Sequence, residues 1–141
     1  MSLTVADVMT TPVFSLSPNA SLLDAHNVTR EKGIRHLPVI DPEANTLKGI
    51  VTQKVLITRV ISLLTQYGSE ALETEEAKVG IMDLALTEFD TVTVDQPLAE
   101  VASFFLANKH GCLPVVADDK VVGILTSSDF VKLTIKLLAD E

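Results

Sequence analysis

The sequence predicts a mixed α/β (α+β) fold of two β-α-β-β-α repeats whose sheets pack on one another. Three observations predict it. The first is an internal repeat in fixed order. One copy runs Val8-Met9, Phe14-Ser15-Leu16, Leu22, Leu37-Pro38-Val39-Ile40 and Gly49-Ile50-Val51-Thr52. The other runs Ile81-Met82, Thr91-Val92-Thr93-Val94, Leu98, Leu113-Pro114-Val115-Val116 and Gly123-Ile124-Leu125-Thr126. The second is spacing: Leu22 to Leu37 and Leu98 to Leu113 each span fifteen positions. The third is size. At 141 residues the chain holds two copies, and neither is large enough to bury an adequate core alone.

In the first copy, Thr4 to Met9 reads as a short helical turn and Phe14 to Leu16 as a short strand. Ser17-Pro18-Asn19 turns the chain. Ser21 caps a helix, with Asp24 three residues on. Leu22, Ala25, Val28 and Thr29 share one face of it, and Gly33 ends it. Leu37 to Ile40 is a buried strand, residues 41–45 a hairpin connection, and Leu47 to Thr52 the return strand. Val55, Leu56, Val60, Ile61, Leu63 and Leu64 line a second helix.

The second copy follows the same order. Ile81-Met82 lies on a helical turn and Thr91 to Val94 on a strand. Pro97 suits the first position of a helix with Leu98, Val101, Ala102, Phe105 and Leu106 on its apolar face. Leu113 to Val116, an Asp118-Asp119 turn and Val121 to Leu125 form a hairpin. A last helix carries Phe130, Val131, Leu133, Thr134, Leu137 and Leu138. The first repeat is thus assigned to residues 1–68, an acidic linker to 69–77, and the second repeat to 78–141.

Composition excludes several classes. Apolar residues make up 47% and charged residues 21%, which is globular rather than disordered. No apolar run spans a bilayer, and no secretory leader is visible, so a cytoplasmic location is expected. Cys112 is the single cysteine, so an internal disulfide is excluded. No Cys/His set has zinc-ligand spacing, so no metal site is expected. The net charge of -8 argues against sequence-independent nucleic-acid binding. That charge is uneven: residues 1–68 hold six Lys/Arg and five Asp/Glu, and residues 69–141 hold five and fourteen.

The chemistry concentrates where the last hairpin meets the last helix, at Gly123-Ile124-Leu125-Thr126-Ser127-Ser128-Asp129. A helix start presents unpaired N–H groups, Ser127 or Ser128 can cap it, and Asp129 falls in the first turn. A carboxylate there accepts two hydrogen bonds from a vicinal diol such as that of ribose. On the heptapeptide alone, an ordinary strand–helix junction in which Asp129 only caps is the favoured reading. Nothing else supports catalysis, since no nucleophile is paired with a base. Cys112 reads as a small buried hydrophobe, His26 as a solvated histidine, and residues 73–76 as a solvated acidic edge.

These marks together resemble the cystathionine-β-synthase (CBS) domain family. They are the leading Val-Met or Ile-Met, the x-Leu-Pro-Val strand, and Gly-Ile-(Val/Leu)-Thr opening the final helix, each present twice. The resemblance implies a pseudo-twofold pair with two clefts at the copy interface, used in the family for adenine nucleotides, and a tendency to dimerise. It implies ribose contacts from Thr126 and Asp129 in copy two. In copy one Thr52-Gln53-Lys54-Val55 replaces the acid with valine. A phosphate-facing basic residue is implied three positions before the strand proline. Arg35 stands there in copy one and Gly111, after Lys109-His110, in copy two.

The expected function is a regulatory module, not an enzyme. It binds AMP, ADP, ATP or S-adenosylmethionine as a regulatory ligand and changes the shape or partner binding of a homodimer. The alternative is an interaction module with unused clefts. The main site is expected at Asp129, partly exposed without ligand, with Thr126 and Ser127 beside it and Thr91, Val92, Thr93, Val94, Leu113 and Pro114 walling the base. Lys109, His110 and Gly111 lie at its entry. Arg35, His36, Pro38, Thr52 and Lys54 form the weaker first-copy site. The expected partners are that small molecule, a second chain and an unspecified effector protein, with neither nucleic acid nor membrane.

Overall fold

The computed structural model describes residues 3–107 and 111–139. Lys109 and His110 lie outside the described residues. The chain forms two compact units: a central one, Phe14–Phe89, and a terminal one made of Met1–Val13 and Asp90–Glu141. The sequence repeats and the packing units are therefore offset. The segment that opens copy one packs with copy two, and the segment that opens copy two packs with copy one.

The central unit holds helix α2 (Leu22–Lys32), strands β1 (His36–Ile40) and β2 (Leu47–Thr52), and helices α3 (Gln53–Tyr67) and α4 (Leu72–Lys78). Helix α2 starts at a full capping box: Ser21 accepts the Asp24 N–H, and Asp24 accepts the Ser21 N–H. It stops at Gly33, whose φ of 65° is left-handed. Strands β1 and β2 are antiparallel, with His36 opposite Thr52. The turn between them is tied by Asp41, whose carboxylate accepts the Glu43 and Ala44 N–H groups and is held below its usual pKa by them. Leu22, Leu37, Val39, Val51, Leu56 and Ile81 form the core of this unit. Phe14 to Leu16 makes no full strand. Only Leu16 pairs, as a single parallel bridge to Val39, and the Ser17-Pro18 turn follows it.

The acidic stretch forms helix α4. Leu72 and Val79 pack against the central core, which turns α4 so that Glu76 faces inward at 1% exposure. His26 Nδ1 lies 3.1 Å from both Glu76 carboxylate oxygens. His26 is therefore the partner of a buried acid and not a solvated histidine. Glu73 and Thr74 are solvent-exposed, as expected of an acidic edge.

The terminal unit holds α1 (Val5–Val8), β3 (Val92–Thr93), α5 (Leu98–Ala107), β4 (Cys112–Ala117), β5 (Lys120–Thr126) and α6 (Ser127–Ala139). Strand β3 runs parallel to β4, and β4 pairs antiparallel with β5. The β4–β5 turn places Asp118 and Asp119 at φ 52° and 66°, the double left-handed geometry of a two-residue hairpin. Val5, Val92, Leu98, Val101, Leu113, Val115 and Leu125 form the core. Leu106, assigned to the apolar face of α5, is 93% exposed; Phe105, assigned to the same face, packs on the core, and so does Phe104, which was not assigned to it.

The two hairpins share their irregularity. Register shifts between Val39 and Ile40 in one and between Val115 and Val116 in the other. Gly49 and Gly123 follow these bulges, and each accepts a crossing segment. A Cβ on Gly123 would lie 2.6 Å from the Met9 sulfur, and one on Gly49 would lie 3.0 Å from both the Ala85 Cβ and the Leu86 carbonyl oxygen. Thr10 bridges Ile124, and Leu86 bridges Ile50. Thr4 bridges Pro97 and Gly80 bridges Ser21, so Ile81 is the counterpart of Val5. Met82 is thus not the counterpart of Met9, although both follow an aliphatic residue in the sequence.

Candidate functional site

Strand register determines which candidates meet. Cys112 is opposite Thr126 in the terminal unit, as His36 is opposite Thr52 in the central one. Each threonine ends its strand, and the next helix begins one residue later. The residue before each inner strand, Gly111 or Arg35, therefore lies at that helix start.

In the terminal unit Asp129 is 3% exposed, not partly open. Its Oδ2 accepts the Thr126 N–H at 2.9 Å, and its Oδ1 accepts the Thr10 hydroxyl at 2.6 Å. The Thr126 hydroxyl is 2.8 Å from that of Ser128. The carboxylate thus caps α6 and anchors the leading segment at once. Burial, and secondarily the Asp129 charge, push the Cys112 thiol up to about 12. Ser127 is exposed at the helix start. Asp129 also borders an open cleft of about 570 Å³ between α1 and α6, with Leu3, Asp7, Val8, Lys132, Leu133 and Lys136. Sequence reasoning missed Thr10, because 119 positions separate it from Asp129 and no local pattern links them.

Gly111 has a φ of 66°, a left-handed conformation that side-chain-bearing residues rarely adopt. The missing cation there has a backbone reason. The proposed base wall is dispersed. Strand β3 is level with Val115 and Val116, three and four residues from Cys112, so about 10 to 13 Å from the Thr126 end. Val92, Leu113 and Pro114 are buried in the unit. Thr93 bonds to Asp95 and Gln96, and the Val94 carbonyl accepts the Ala6 N–H. Thr91 is exposed.

In the central unit Arg35, His36, Thr52 and Lys54 converge at one hairpin end. The Arg35 carbonyl accepts the Gln53 N–H at 2.8 Å. The Thr52 hydroxyl accepts the Val55 N–H at 3.3 Å. Arg35 and Lys54 are exposed, His36 half-buried and Pro38 buried. Val55 stands where Asp129 stands in the other unit, and packs against the core. Among the described residues, no helix is long and apolar enough to cross a membrane.

The sequence model of the CBS domain matches residues 5–62 and 81–136. A protein of Vibrio cholerae described as an acetoin utilization protein, AcuB, is similar over nearly its whole length. The TM-score is 0.83 at 32% identity, covering 99% of this chain and 96% of that one. CBSX2 from Arabidopsis thaliana, solved in complex with AMP, gives a TM-score of 0.77 at 30% identity, covering 95% and 97%. The CBS domain pair of protein MJ0100, in complex with 5′-methylthioadenosine and S-adenosyl-L-methionine, gives 0.76 at 26% identity, covering 96% and 98%. An A-adding tRNA nucleotidyltransferase of Aquifex aeolicus is 31% identical over 94% of this chain, which spans 14% of that enzyme.

Proposed function

The chain belongs to the CBS domain family, and we propose that it is a regulatory module sensing an adenosine-containing ligand such as AMP, ADP, ATP or S-adenosylmethionine. One observation carries the reading. The acid of the Thr126-x-x-Asp129 motif is fixed at the first turn of α6, where its oxygens accept donors. Two similar pairs were solved with AMP and with S-adenosyl-L-methionine, which share the ribose diol. Asp129 takes the ribose hydroxyls, and Thr126 with the α6 start takes the next group of the ligand. The central unit, with Val55 in that place, is the weaker or vacant site. The ligand state passes to a protein partner through a cytoplasmic homodimer, with no chemistry of its own.

Titration calorimetry with AMP, ADP, ATP and S-adenosylmethionine tests this. About one ligand per chain is expected. A hydrogen bond to a charged acceptor contributes about 1.5–3 kcal/mol, so Asp129→Ala weakens binding about ten- to a hundred-fold. The variant also loses its helix cap, so affinity is measured well below its melting temperature. Unchanged affinity in Asp129→Ala overturns the site.

A second reading follows from the same bonds. A carboxylate satisfied by Thr10 and Thr126 needs no ligand, which favours an interaction module with unused clefts. No heat with any of the four ligands decides for it.

A further inference from the structure

The carboxylate assigned to ribose is occupied by the chain's own hydroxyl. Thr10 is exposed, yet its hydroxyl donates at 2.6 Å to an aspartate that is 3% exposed. Its backbone is held independently of that bond. The Thr10 N–H donates to the Ile124 carbonyl at 2.8 Å, and the Ile124 N–H donates back at 3.1 Å. Gly123 permits this approach, since a Cβ there would lie 3.3 Å from the Thr10 carbonyl oxygen and closer still to Met9. The hydroxyl can therefore turn away while the main chain stays paired.

The central unit supplies an internal comparison. Leu86 makes the same two-way backbone pair with Ile50 that Thr10 makes with Ile124. Leu86 stands in the register of Thr10, and Val55 in that of Asp129. Donor and acceptor are thus replaced together by apolar residues, as expected of two residues that act as a pair.

We infer that Thr10 is a built-in competitor for the ribose position. Its hydroxyl holds Asp129 in the empty protein and swings off when a vicinal diol arrives. The inference rests on the reading of Asp129 as the ribose acceptor. A carboxylate has about four lone-pair sites, so Oδ2 can keep the Thr126 N–H and still take a hydroxyl. At Oδ1 the first ribose hydroxyl only replaces the bond lost from Thr10. The second, at Oδ2, supplies the net gain. Thr10 thereby sets the affinity threshold of the site.

The test is Thr10→Val, which keeps the branched shape and the backbone pair and removes the donor. AMP and S-adenosylmethionine are titrated into native protein and variant, with 2′,3′-dideoxy-AMP as the ligand lacking both hydroxyls. The expected result is AMP binding about ten- to a hundred-fold tighter in Thr10→Val, with dideoxy-AMP unchanged. Thr10→Ser, which retains the hydroxyl, matches the native protein. Should Thr10→Val fold poorly, Thr10→Ala is read in the same way. Equal or weaker AMP binding in the variant overturns the competitor while leaving the Asp129 site standing. An equal gain for dideoxy-AMP also overturns it. If neither native protein nor variant binds either diol ligand, the reading of Asp129 itself fails, and the competitor with it.

Discussion

Two buried polar side chains, Asp129 and Glu76, show what single residues contribute. Each is matched by a partner distant in sequence, Thr10 in one case and His26 in the other. An unmatched buried acid would cost several kcal/mol, so each pairing specifies how a segment docks. Cys112 shows the opposite case. Its thiol is buried, with its pKa raised from 9.0 to about 12. The unfolded thiol ionises from about pH 9 while the folded one stays protonated, so this contribution is present below pH 9 and lost as pH rises toward 12. Urea unfolding should show the native protein losing stability relative to Cys112→Ala by about 1.4 kcal/mol per pH unit across that interval. Parallel curves for the two proteins would remove the assignment. At pH 8 the native thiol should react with a disulfide reagent only as fast as the protein opens.

At the scale of elements, the same hairpin-and-helix unit was built twice with different ends. In the terminal unit the β5–α6 junction carries Thr10 and Asp129, and in the central unit the β2–α3 junction carries Leu86 and Val55. Val55→Asp should therefore destabilise the protein by about 1–3 kcal/mol, because the new acid meets leucine where Asp129 meets a hydroxyl. Adding Leu86→Thr should recover much of that loss in urea denaturation. In the double variant the AMP stoichiometry should rise from about one to about two per chain. A stoichiometry that stays at one would show that the Thr–Asp pair alone does not make a site.

At the scale of the whole molecule, both long helices expose apolar side chains. On α3 these are Ile57, Ile61 and Leu64, and on α6 Val131, Ile135, Leu137 and Leu138, all more than 40% exposed. Contiguous apolar faces of this kind mark interaction surfaces more often than free ones. The expected state at tens of micromolar is therefore a dimer or larger, measured by light scattering. A monomer with and without AMP would leave these faces without an explanation.

The sequence by itself determined every element set by local physics. The capping box at Ser21 and Asp24, the left-handed Gly33, the Asp118-Asp119 turn and the paired x-Leu-Pro-Val strands follow from residue type and spacing alone. The acid of the candidate site was legible too, because Thr126-x-x-Asp129 places it in the first turn of a helix. Tertiary structure decided what lies beyond a few residues of separation. It buried Asp129 under Thr10 and turned Glu76 inward to His26. It left Leu106 in solvent and set Phe104 against the core. It also gave each opening segment to the other copy's packing unit. Helical periodicity marks a face as apolar without saying which element covers it. A hydrogen bond across 119 positions depends on how the chain closes, which no local pattern encodes.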